Sequence, residues 1–287
     1  MDKELFNGQR YHIRFAIFPE LSGDAQSSAY FESCIHEDEE LRPAMLVVAG
    51  GGYDHLSEVE SYHVAEFFYN EGFQTFILRY STAPIGEGPL GLKPLKEIIR
   101  AVRLIKSMSE EFKIKDGKLA ACGFSAGGHL IATLCAHPDN DGTFTESAGG
   151  EDPYDDISAL PDAVILGYPV ITMTGPHIHE SSVRQLLGDD PSQEELEFMS
   201  AQLHVREDVP PVFIWSMADD QSVPVQNTLM YAEACREANV PCSLHIFSHG
   251  EHGMALSDGY KGRFMSEETA VWPQMALAFI RKAISQD

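Results

Sequence analysis

Apolar and polar positions divide the chain into short apolar runs separated by segments of helical spacing. Residues 44–49 (Ala-Met-Leu-Val-Val-Ala) are apolar without a break, as expected of a strand buried on both faces. Further strands are predicted at Gln74–Arg79, 118–122, Ala163–Gly167, 212–216 and 243–247, with helices near 60–70, 92–111, 125–136, 225–238 and 267–283. Strands spaced by helices of this length predict an α/β fold, a mostly parallel sheet covered by helices on both faces. Upstream, alternation over 12–18 predicts a half-exposed antiparallel strand at a sheet edge. A second such strand is expected over 29–35, and the acidic run 37–40 reads as a solvated turn.

Two segments break this rhythm. Residues 138–161 are polar, acidic and turn-rich, and residues 172–207 insert extra material with one helix expected near 192–201. In parallel α/β sheets, functional loops lie beyond the carboxyl ends of the strands, so both insertions are expected to wall a substrate pocket. No linker-like tract or internal repeat interrupts the 287 residues, which read as one domain spanning 1–287.

A formal net charge of −24 makes phosphate backbones and anionic membranes poor partners and favours a neutral or cationic small molecule. The first five residues lack an apolar signal core and no stretch is long enough to span a bilayer, so the expected setting is soluble and cytoplasmic. Five cysteines without a C-x-x-C pair read as reduced thiols.

Chemistry concentrates at Gly123-Phe124-Ser125-Ala126-Gly127, where a strand ends and a helix begins at once. A serine in so tight a turn is held with its hydroxyl above the sheet, and only glycine fits two residues to either side. Taken alone, the motif equally describes a small-residue turn that packs a helix close to a strand. A serine hydroxyl is a weak nucleophile that needs a base and a group to orient that base. Both residue types follow strands downstream, in Asp219-Asp220-Gln221-Ser222-Val223-Pro224 and in Ser248-His249-Gly250-Glu251-His252-Gly253. Strand 44–49 empties into Gly50-Gly51-Gly52-Tyr53, where backbone N–H groups can face a ligand; the spacing is not that of a dinucleotide fingerprint.

With these motifs, Leu78-Arg79-Tyr80-Ser81 included, the chain resembles the α/β-hydrolase serine esterases. The resemblance is to the acetyl esterase and carbohydrate esterase branch, grouped with bacterial feruloyl and xylan acetyl esterases. It covers the chain from about residue 44 to the last helix. It implies Ser125 as nucleophile, His252 as general base and Asp220 as orienting acid, with Asp219 the alternative acid. It also implies an oxyanion hole built from the N–H groups of Gly51, Gly52 and Ala126. Related lipases carry histidine where this chain has Ala49, and many members of the branch carry proline.

The implied activity is deacetylation of carbohydrates or xylo-oligosaccharides through an acyl-enzyme, with no cofactor. The implied partner is a small acyl ester, in a protein open to homo-oligomer formation. A general short-chain carboxylesterase, an arylformamidase-like or peptidase-like hydrolase, and a catalytically silent binding module are the alternatives. Tyr53 is placed either in the acyl pocket or in the core or rim. His129 is expected to be a buried, hydrogen-bonded histidine. His177, His179, His245 and His249 lack the cysteine or carboxylate that would complete a metal-ligand spacing.

Overall fold

The computed structural model describes residues 4–6, 10–18, 29–84, 87–138, 153–262 and 265–285. Nine described strands form one sheet: β1 (Glu4–Phe6), β2 (Arg10–Ala16), β3 (Tyr30–Cys34), β4 (Arg42–Val48), β5 (Gln74–Arg79), β6 (Ile114–Phe124), β7 (Ala163–Gly167), β8 (Val212–Met217) and β9 (Cys242–Phe247). Their spatial order is β1-β2-β3-β5-β4-β6-β7-β8-β9. The first three strands and β5 pair antiparallel, and every pairing from β5 through β4 to β9 is parallel. This is the α/β-hydrolase fold.

Why the middle strands are apolar without a break is visible in β4, whose side chains alternate between two cores. Ala44, Leu46 and Val48 pack on one face with Leu95 and Val102 of α2 (Lys93–Ser107) and Leu130 and Leu134 of α3 (Ser125–Ala136). Met45 and Val47 pack on the other with Val64 and Phe68 of α1 (Tyr62–Asn70) and Trp272 and Ile280 of α7 (Trp272–Ile284). A strand covered on both sides has no polar face to alternate with.

Two features differ from expectation. β1 was not predicted, since three residues are too few to show a period. The 172–207 insertion carries two helices rather than one, α4 (Glu180–Leu187) and α5 (Gln193–Phe198). The former is short and polar on its outer face, with Val183 and Leu186 turned inward. Of the 138–161 insertion, residues 139–152 lie outside the described residues. The last described helix of the β8–β9 crossover is α6 (Gln226–Glu237).

Candidate active site

Phe124 closes β6 and Ser125 opens α3 with no residue between them, and Ser125 is bent to φ +50° to make the turn. A side chain in that left-handed region is strained. The flanking glycines have no room for one: a Cβ on Gly123 meets the Gly127 carbonyl oxygen at 2.6 Å, and a Cβ on Gly127 collides with the carbonyl oxygens of Val48 and Ala49. The elbow is thus wedged between α3 and the end of β4.

The loop after β8 delivers Asp220 and the loop after β9 delivers His252, as the parallel register of these strands carries both chain ends to the same edge of the sheet. Asp220 is buried, and its Oδ1 accepts the N–H groups of Ser222 (2.8 Å) and Val223 (3.0 Å). Its Oδ2 is 2.7 Å from His252 Nδ1. Because a carboxylate only accepts, Nδ1 carries the proton, and Nε2 is left to accept the Ser125 hydroxyl at 2.8 Å. Asp219 does not reach this histidine; it points outward and accepts from His249 Nδ1 (2.9 Å) and the Gly250 N–H (3.0 Å).

After β4, Gly51 (φ +126°), Gly52 (φ +61°) and Tyr53 (φ +67°) turn in succession through backbone conformations of positive φ. The carbonyl of Gly51 folds back to accept the N–H groups of Asp54 (3.0 Å) and His55 (3.3 Å). Gly51 and Gly52 border the same cavity as Ser125. Ala126 lies in the first turn of α3, where helix N–H groups have no acceptor within the helix and the helix dipole favours negative charge.

The cavity over Ser125 holds about 310 Å³ and opens to solvent. Its walls include Asp54, His55, Ser57, Glu60, His179, Ser181 and Ser222, and among the described residues no aliphatic or aromatic hydrocarbon side chain lines it. His179 and Ser181 come from the 172–207 insertion; none of the described residues of the 138–161 insertion borders the cavity. His179 Nδ1 pairs with Ser182 Oγ at 2.8 Å, and burial, then the neighbouring His252, hold its pKa below the usual histidine value.

Of the two places left open for Tyr53, the acyl pocket and the core or rim, the structure gives the core. The side chain is wholly buried, and its hydroxyl donates to His129 Nδ1 at 2.7 Å. His129 Nε2–H donates in turn to the Met199 carbonyl at 2.8 Å, so the neutral ring is satisfied at both nitrogens and burial lowers its pKa to about 4. The histidines weighed as metal ligands lie apart: His245 pairs with Ser243 Oγ and His249 with Asp219, while the His177 carbonyl accepts from Asn227.

Two residues beside the site escaped the sequence reading. Glu60, at the end of a short 3₁₀ turn before α1, is buried next to Ser125, and Tyr168, just past β7, places its ring 4.9 Å from that of His252. The glutamate reads in sequence as one more acidic residue at a helix start, and only the tertiary fold distinguishes it.

A family model described as BD-FAE matches residues 34–234. The chain is 38% identical over 248 residues, 85% of its own length, to endo-1,4-beta-xylanase B of Butyrivibrio fibrisolvens. It is 30% identical over 223 residues, 76% of its length, to an acetylxylan esterase of Xylanibacter ruminicola. It spans 38% and 42% of the lengths of these two curated relatives. A solved acetyl ester-xyloside bifunctional hydrolase from Caldicellulosiruptor lactoaceticus superposes with a TM-score of 0.78 at 29% identity, covering 93% of this chain and 97% of that one.

Proposed function

Because the chain belongs to the BD-FAE family of α/β-hydrolase carbohydrate esterases, we propose that it is a serine carboxylic-ester hydrolase that removes acetyl groups from xylo-oligosaccharides or related carbohydrates. The observation that carries this reading is the continuous relay from Asp220 through His252 to Ser125 (2.7 and 2.8 Å), opening onto a cavity whose described lining includes no aliphatic or aromatic hydrocarbon side chain.

The chemistry follows from what each group can do. His252 Nε2 takes the Ser125 proton as Oγ attacks the ester carbonyl, and Asp220 stabilises the imidazolium so formed. Charge passing to the carbonyl oxygen is received by the N–H groups of Gly51, Gly52 and Ala126, worth about 3 kcal/mol for each well-placed donor. The proton on His252 then goes to the departing sugar oxygen, and water repeats the sequence to free acetate and Ser125. Each step uses only side chains and backbone of this chain. Polar walls suit a hydroxyl-rich leaving group, and the acetyl ester and acetylxylan activities in the names of two relatives point to the same class.

All five cysteines are free thiols. Among the described residues no helix is long and apolar enough to cross a membrane. Acetate release from acetylated xylo-oligosaccharides, measured for the purified protein and for Ser125→Ala, tests the reading. Release by the wild type alone is expected; release undiminished in Ser125→Ala, or absent from both, overturns it.

A further inference from the structure

A carboxyl group in a protein interior is costly unless each oxygen is hydrogen-bonded, and Glu60 is only 2% exposed. No cation pairs with it among the described residues. Both oxygens are used, and they lead in opposite directions. Oε2 accepts the N–H of Gly50, the residue that begins the oxyanion loop, at 2.8 Å. Oε1 accepts the hydroxyl of Tyr168 at 2.8 Å. That hydroxyl in turn accepts the N–H of Ala255, three residues beyond His252, at 2.9 Å.

The contacts around this chain of bonds are tight. A Cβ on Gly50 would stand 2.7 Å from the Ser125 Cβ and 2.9 Å from Glu60 Oε2, so the loop is pressed between nucleophile and carboxyl group. The same loop is closed on itself by Ser57, whose N–H donates to the Gly50 carbonyl at 3.0 Å. On the far side, Trp272 Nε1–H holds the Ala255 carbonyl at 2.9 Å, and the Tyr168 ring stands edge-on to His252.

We propose that Glu60 is a positioning residue which, through Tyr168, braces the Gly50–Gly52 loop and the His252 loop at a fixed separation around Ser125. The inference rests on reading the site as that of an ester hydrolase. Glu60 borders the cavity over Ser125, but its two oxygens are committed to the Gly50 N–H and the Tyr168 hydroxyl; in this scheme it acts by fixing where the oxyanion donors stand relative to the base. Misplacing either by about an ångström costs up to about 100-fold in rate.

The test is the pair Glu60→Gln and Tyr168→Phe, with their double variant, assayed on p-nitrophenyl acetate and followed by thermal unfolding. A glutamine oxygen accepts from only one of the two donors, and phenylalanine removes the hydroxyl both loops share. Each single variant should lose about 10- to 100-fold in kcat with KM within about threefold of wild type, and the double should be no slower than the slower single. A kcat within twofold of wild type in either folded single variant, or losses that multiply in the double, overturns the proposal even if the unfolding midpoint drops. If Glu60→Gln does not fold, Tyr168→Phe decides by the same criterion. If the wild type itself does not turn over p-nitrophenyl acetate, the reading of function fails instead. The brace is then read from the rate at which diisopropyl fluorophosphate labels Ser125, slowed about tenfold or more if it exists and unchanged if it does not.

Discussion

The Tyr53 hydroxyl lies 2.7 Å from His129 Nδ1, with both side chains cut off from solvent behind the Gly50–Gly52 loop. A proton on that nitrogen would face a donor already committed to it, and burial holds the His129 pKa down to about 4. In the unfolded chain the same histidine titrates near 6.5. Above that pH both states are neutral and nothing is lost. Between roughly 6.5 and 4 the unfolded state binds the proton and the folded state does not, so stability falls as pH falls, by up to about 3 kcal/mol from this group. Urea unfolding of wild type and His129→Gln across pH 4 to 7 checks this: the variant should show a shallower loss toward acid, and parallel curves would refute it.

The strained elbow gives a second expectation. Ser125→Ala and Ser125→Gly should both lose about a thousandfold or more in kcat by removing the nucleophile. They should differ in stability, because alanine keeps the cost of φ +50° while glycine does not. Ser125→Gly is expected to melt at or above the wild-type temperature and Ser125→Ala at or below it. Equal melting points well below wild type would mean the turn is not strained.

Adjacent aspartates offer a third. Asp220→Asn puts an amide against His252 Nδ1 and favours the wrong tautomer, with an expected loss of about 10⁴ in kcat. Asp219→Asn weakens an exposed pairing with His249, its amide oxygen can still accept the Gly250 N–H, and it should stay within about threefold of wild type. Steady-state kinetics of the two variants decides it, and the reverse ranking would transfer the orienting role to Asp219.

These two aspartates also mark how far the sequence could be read. The buried strands announce themselves by unbroken apolar runs, and the elbow by glycines whose Cβ positions are occupied, as at Gly127. The order serine, acid, histidine follows from strands that deliver their loops to one sheet edge. Neighbours in a loop, however, share every sequence property; which of them turns inward depends on the N–H groups of Ser222 and Val223 that anchor Asp220. Glu60 and Tyr53 were hidden for a related reason. An acid at a helix start normally faces water, and a tyrosine beside oxyanion glycines normally could face either way. Their burial is set by Tyr168 and His129, each more than 70 residues distant in the chain. Helix α4 was missed because its inward face is only two apolar side chains wide.

A fourth expectation concerns the glycine after the elbow. Gly127→Ala drives a methyl group into the Val48 and Ala49 carbonyls, which belong to a central strand end and cannot withdraw. Overpacking against backbone of this kind costs about 3 kcal/mol or more. A melting temperature within a degree of wild type would show that α3 can slide.

The last expectation is chain-length selectivity. A pocket that accommodates long acyl chains gains about 0.8 kcal/mol for each methylene it removes from water, so the six extra methylenes of an octanoyl group should contribute about 5 kcal/mol where apolar walls receive them. Among the described residues no such walls line the cavity over Ser125, which is bordered by Asp54, His55, His179, Ser181 and Ser222. Three apolar side chains of the 172–207 insertion that could build a slot are spent elsewhere: Met173 is in the core, Ile178 packs against it, and Phe198 stacks on His137 at 3.9 Å. An octanoyl chain therefore stays in water or crowds polar side chains, and neither lowers the transition state relative to free substrate. The kcat/KM for p-nitrophenyl acetate should exceed that for the octanoate by about tenfold or more, with butyrate between them. Octanoate equal to or better than acetate would require an apolar channel that these walls do not contain, and would replace the acetyl-ester reading with a general carboxylesterase.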